Sequence, residues 1–157
     1  LLDRNPVFWV GNPTPLAIAC AAALVVFFTA HLLESRYKVL LWLDALALAI
    51  AVAAGAGVAQ SLDHSAGIVL VMGVATGTMG GLMRDVVCNE VPLVLKQGEL
   101  YVTAAFAGAG AALLAAILTP HPLAPVIACM VTCFALRAGS LLFGWRLPVY
   151  KARPPRV

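Results

Sequence analysis

AGIVLVMGVATGTMGGLMRDVVCNEVP, from Ala66 to Pro92, is the stretch that decides how this chain is read. From Ala66 to Met83 it carries no formally charged residue, and roughly 20 apolar residues in a helix span the ~30 Å of a bilayer's hydrocarbon. Glycine stands at 73, 77, 80 and 81. Each lacks a Cβ and raises the cost of the helical state, so the adjacent Gly80 and Gly81 predict an interruption. Arg84 and Asp85 follow at once. Broken helices are tolerated at membrane depth where the freed backbone groups line water or protein, which is how ion and solute sites are commonly built. The two charges equally fit an ordinary helix end, with Arg84 reaching toward lipid head groups. Thr76 and Thr78 bring hydroxyls to mid-span, where they line a polar path or bond back to their own helix.

The surroundings of this stretch are of the same kind. Hydrophobic residues make up 62% of the 157 residues and charged ones 11%, with a mean hydropathy of +0.98. A soluble domain is nearer half apolar and a quarter charged, so this chain lacks the polar surface to cover a soluble core. Four more runs are long and apolar: Thr14 to Leu33, Leu40 to Ala59 with only Asp44 charged, Tyr101 to Leu118, and Pro122 to Trp145 with Arg137 toward its end. Open sheet cannot face lipid, and barrel-type alternation is absent. The expected fold is an all-α membrane protein with five transmembrane helices. Asp44 either suits the helix dipole near the start of its span or faces an aqueous path. Arg137 is expected to snorkel toward the cytoplasmic head groups.

The loops set an orientation. Arg36, Lys38, Lys96 and the tail residues Arg146, Lys151, Arg153 and Arg156 fall on one side if all five runs cross, leaving Arg4 as the sole Lys or Arg on the other. By the positive-inside rule the C-terminus is cytoplasmic, and the tail at 147–157 is drawn to anionic lipid heads. Nothing else in the net charge of +3 forms a basic face of the kind that binds nucleic acid. The cysteines Cys20, Cys88, Cys129 and Cys133 lack metal-type spacing, and Cys129 and Cys133, sharing a helix face, read as small packing residues. Three stripes of small residues, Ala51/Gly55/Ala59, Gly73/Gly77 and Ala104/Gly108/Ala112, predict close helix contacts. No phosphate loop, H-E-x-x-H or serine elbow is present, so no enzyme activity, cofactor or metal site is expected.

An internal similarity adds to this. Asn89-Glu90-Val91-Pro92-Leu93 lines up with Asp3-Arg4-Asn5-Pro6-Val7, each leading into a new span, with Pro92 and Pro6 as matching turns at a helix end. The implied organisation is the end of a first repeat with one helix (1–38), a complete three-helix repeat (39–119) whose broken helix covers 66–90, a final helix (120–146) and the basic tail. Repeats with an odd number of spans lie inverted in the membrane.

LDALALAIAVAAGAG from Leu43, GVATGTMGGLMRDVVCNEVPLVL from Gly73 and RNPVFWV from Arg4 resemble the bacterial relatives of the TRIC (trimeric intracellular cation) channels, a family whose domain is also labelled a glycine transporter. The resemblance implies seven helices, two inverted three-helix repeats plus one, in the bacterial inner membrane. It implies a homotrimer with a pore in each protomer, passing potassium or sodium between two kinked helices. It places Gly80 and Gly81, with Gly77, Thr76 and Thr78 nearby, at the kink and pore, and Arg84, Asp85 and Asp44 as gating or paired charges. The chain begins Leu-Leu-Asp-Arg, and by this resemblance about 50 residues would precede it. The function so implied is a monovalent-cation channel subunit. The alternative is a carrier for a small zwitterion such as glycine, to which Arg84 and Asp85 would offer both signs of charge.

Overall fold

The computed structural model describes residues 13–33, 37–92, 95 and 100–145. Pro6, Arg4, Arg36, Lys96 and the basic tail lie outside them. Five helices and no strand occur among the described residues: α1 (Thr14–Leu33), α2 (Tyr37–Ser61), α3 (Ala66–Val87), α4 (Val102–Leu118) and α5 (Ala124–Phe143). They follow the five apolar runs closely. By length and composition α2, α3 and α5 are sufficient to cross a bilayer, while α4 is a shorter apolar helix. The chain divides into two compact units, 1–40 and 41–157. In the first, α1 exposes Leu16, Ile18, Leu24, Val25 and Phe28. The second holds the core.

The C-terminal ends of α2, α3 and α5 are set by residues in the left-handed region. Asp63 (φ 53°) closes α2, where the His64 amide donates to the Ala59 carbonyl and the Asp63 amide to that of Gln60. Asn89 (φ 53°) closes α3 in the same way, with Glu90 N–H donating to Asp85 O at 2.8 Å and Asn89 N–H to Val86 O at 3.1 Å. These crossed bonds satisfy carbonyls that a helix end leaves open, and Asp and Asn tolerate the left-handed backbone better than most residues. Gly144 (φ 66°) caps α5. Pro125 enters at its first turn, where a missing N–H is harmless.

The interruption expected at Gly80 and Gly81 is not a break in α3, which continues as regular helix to Val87. Each glycine costs a helix only about 1 kcal/mol, and α3 is held along its length by its neighbours. The glycines act by proximity instead. A Cβ on Gly73 would stand 3.1 Å from Ala109 Cβ and 3.3 Å from Ala56 Cβ, and one on Gly77 would overlap Val52 Cγ2. On α2, a Cβ at Gly55 would lie 2.5 Å from Thr76 Oγ1, and on α4 one at Gly108 would lie 2.8 Å from Cys133 Cβ. The small-residue stripes are therefore real helix contacts.

Alanine dominates the core they close: Ala49, Ala53, Ala56 and Ala59 from α2 cluster with Ala104, Ala105, Ala109 and Ala112 from α4, and with Leu48, Val52 and Val69. Cys129 and Cys133 are buried free thiols filling the α5 side. The outer faces carry Leu46, Ile50, Val58, Val71, Met79, Met83, Phe106, Leu114, Ile127 and Val131 exposed, as helices surrounded by lipid should. Gly77→Ala is expected to lower thermal stability in detergent by about 1–3 kcal/mol through overpacking against Val52. Gly57→Ala, where a Cβ would touch nothing within 4 Å, should be neutral or stabilising by up to about 1 kcal/mol.

Candidate functional site

The start of α2, the end of α3, the residue preceding α4 and the C-terminal half of α5 meet at one end of the second unit, because these successive helices alternate in direction. Each contributes a polar group to that meeting point. Asp44 lies on the α2 face that continues, four residues at a time, into buried Leu48 and Val52. Asp85 lies four and eight residues beyond Gly81 and Gly77 on the packed face of α3, and Arg137 lies four and eight beyond Cys133 and Cys129 on that of α5. Helical periodicity thus drives all three charges inward. Asp44, Asp85 and Arg137 retain 7%, 3% and 0% of their surface, whereas the Arg84 side chain keeps 36%.

Arg84 ties the two carboxylates together. Its Nε and Nη2 donate to Asp85 Oδ1 at 2.9 and 2.7 Å, and its Nη1 donates to Asp44 Oδ1 at 2.7 Å. The second oxygen of Asp44 faces Arg137 Nη2 at 3.9 Å. Arg137 lies over the ring of Tyr101 at 4.9 Å from its centroid, a cation–π arrangement that gains strength away from water. Trp42 of α2 and Phe134 of α5 contact each other, ring centroids 5.9 Å apart. Among the described residues, two guanidiniums and two carboxylates balance one another, which is how buried charges are accommodated.

The structure sorts the residues singled out in the sequence. Asp44, Arg84 and Asp85 come together as a unit, and Gly81 belongs to it. A Cβ at Gly81 would collide with the Tyr101 hydroxyl and stand 3.9 Å from Asp44 Oδ1. Gly80 faces open space. Gly77 is turned to Val52 and Leu48, away from the exposed side of α3. Thr78 Oγ1 donates to the Val74 carbonyl of its own helix at 2.8 Å, and exposed Thr76 stands beside Gly55. Pro92 follows the α3 cap and accepts from Leu95 N–H at 2.9 Å.

Arg137 corrects an expectation. It does not snorkel to head groups but is completely buried against Asp44 and Tyr101, since its position on the Cys129–Cys133 face points it into the bundle. Tyr101, also buried, was not foreseen. The signal for Arg137 was the four-residue spacing continuing from the two cysteines. For Tyr101, nothing local marks a tyrosine at the head of a span as internal.

The family model described as glycine transporter matches residues 41–117, which include Asp44, Arg84, Asp85 and Tyr101. The inner membrane protein YadS of Escherichia coli is 36% identical over 113 residues, covering 68% of this chain and 52% of YadS. The crystal structure of a TRIC trimeric intracellular cation channel orthologue from Rhodobacter sphaeroides is similar with a TM-score of 0.82 at 38% identity, over 90% of this chain and 72% of that one. The chain belongs to the TRIC family. A further TRIC cation channel structure, solved to explain conductance, is similar with a TM-score of 0.80 at 28% identity, over 97% of this chain and 74% of that one. This TRIC-family chain is a helical membrane protein, and it spans about half the length of YadS (52%).

Because Asp44 is shared by both guanidiniums, Asp44→Asn should cost about 3–5 kcal/mol of stability, the range for breaking a buried ion pair from one side. Arg84→Gln, at a half-exposed site, should cost clearly less. Thermal unfolding of the two variants in the same detergent checks the order. Gly81→Ala should destabilise by displacing Tyr101, while Gly80→Ala should not. Equal effects of the two alanines would show that proximity to Tyr101 is irrelevant.

Proposed function

We propose that this protein is a subunit of a homotrimeric monovalent-cation channel, passing chiefly potassium through a pore within each protomer that α3 helps to wall. The observation that carries this reading is the likeness to the Rhodobacter sphaeroides TRIC channel orthologue, which extends over 90% of the chain at 38% identity. The site is compatible with it. A passive pore needs a wet path with few uncompensated fixed charges to trap the ion, and here the charges beside α3 neutralise one another. Thr76 and Gly80 lie on the exposed side of α3 and offer a sparse polar lining, while Gly77, Gly81 and Thr78 support the helix behind them.

The same geometry disfavours a zwitterion carrier. The best argument for one is that Arg84 and Asp85 supply both signs of charge, yet these two are engaged with each other at 2.7 Å, and Arg84 with Asp44 as well. Helices α2 to α4 would then be the second of two inverted three-helix repeats, with α5 as the final helix, in a seven-helix protein. The loop charges support a cytoplasmic C-terminus with the basic tail against anionic lipid heads, and the likeness to the inner membrane protein YadS supports the bacterial inner membrane. The charge cluster lies at the cytoplasmic end in this orientation.

The full-length protein in a planar bilayer is expected to give discrete unitary potassium currents, and crosslinking in the membrane should trap a trimer. Saturable counterflow of labelled glycine with no unitary current would overturn the channel reading.

A further inference from the structure

Arg84 and Arg137 attend the two oxygens of the same carboxylate, but their situations differ. Arg137 has no exposed surface and rests on the face of buried Tyr101, whose hydroxyl in turn occupies the space left by Gly81. It has nowhere to go. Arg84 is more than a third exposed along its side chain and holds Asp44 through a single nitrogen, its other two nitrogens donating to Asp85. Were Arg84 the sole cation near Asp44, withdrawing it would leave a bare carboxylate in the protein interior, which is strongly unfavourable. Arg137 Nη2, 3.9 Å from the other Asp44 oxygen, removes that obstacle.

We propose that Arg137 is a positioning residue, a fixed second counter-ion to Asp44 that allows Arg84 to release this carboxylate and swing on its Asp85 anchor. The cluster is then a latch with one permanent and one exchangeable cation. In the channel reading, on which this role for the latch rests, Arg84 is the charge that moves relative to the ion path, and Arg137 sets how tightly it is held. The carboxylate–guanidinium exchange itself does not depend on conduction.

The test is a thermodynamic cycle on the full-length protein, with Arg84→Gln, Arg137→Met and the double variant compared by melting temperature in detergent. If the two cations are alternative partners for Asp44, removing both strands the carboxylate. The double loss should then exceed the sum of the single losses by about 4 °C or more. Arg137→Lys, keeping the charge, should restore near-additivity with Arg84→Gln, which a purely space-filling or ring-stacking role would not do. Should the double variant not fold, the rate at which phenylglyoxal modifies Arg84, followed by peptide mass, gives the answer from Arg137→Met alone. With Asp44 left to Arg84, that rate should fall by a factor of about 3 or more relative to the unsubstituted protein. Additive losses, or an unchanged rate at Arg84, would overturn the proposal. Neither measurement uses a current, so loss of the channel reading and loss of the latch are separable.

Discussion

The carboxylate of Asp44 is the constraint around which the second unit is arranged. A buried anion must have its charge met and its oxygens approached by donors, or the fold that buries it is unfavourable. Here the compensation comes from two other helices: Arg84 of α3 on one oxygen and Arg137 of α5 facing the other. Three helices are thereby committed to one relative placement at that end of the bundle, and Tyr101, immediately before α4, adds the fourth. The requirement is also directional. A guanidinium is planar with donors at fixed angles, so Arg84 can serve Asp44 and Asp85 at once only if α3 has the rotation observed.

Along the rest of the helices the interaction is of a different kind. Lipid is as apolar as leucine, so burying large side chains gives little driving force between membrane helices, and close van der Waals contact must supply it. Gly73, Gly77 and Gly108, set against Ala109, Val52 and Cys133, bring backbones near enough for that. Close packing and the ion cluster support each other. Small residues let α2 and α3 approach until Asp44 and Arg84 are in hydrogen-bond range, and the ion contacts then choose among the rotations that smooth, small-residue faces would otherwise permit.

The apolar runs were legible because a membrane span is a statement about length and composition, both of which are local. All five helices fall where those runs do, with ends displaced by a few residues. The small-residue stripes were legible for the same reason, since four-residue spacing already defines a face. What eluded the sequence was direction and termination. Arg137 near the end of a span reads as a residue reaching for water. Its inward aim is visible only when the Cys129–Cys133 face is carried one turn further. The glycine pair at 80 and 81 reads as a break because each weakens a helix, yet the stop lies at Asn89, whose left-handed backbone is as much a matter of its surroundings as of its side chain. Tyr101 needed the tertiary structure, because its partners lie on α3 and α5.

That stop has an angular consequence. An α-helix advances about 100° per residue, so the turn at Asn89 fixes not merely how long α3 is but the azimuth at which the chain leaves it. Between Gly81 and Asn89 the helix has no slack to absorb a change of count. One residue added or removed between Gly81 and Arg84 would rotate the guanidinium by more than a quarter turn relative to Tyr101 and Asp44, while hydropathy along the span would hardly alter. The chain length of this last stretch is in effect a clock setting, and the sequence between the glycine pair and the asparagine keeps the time.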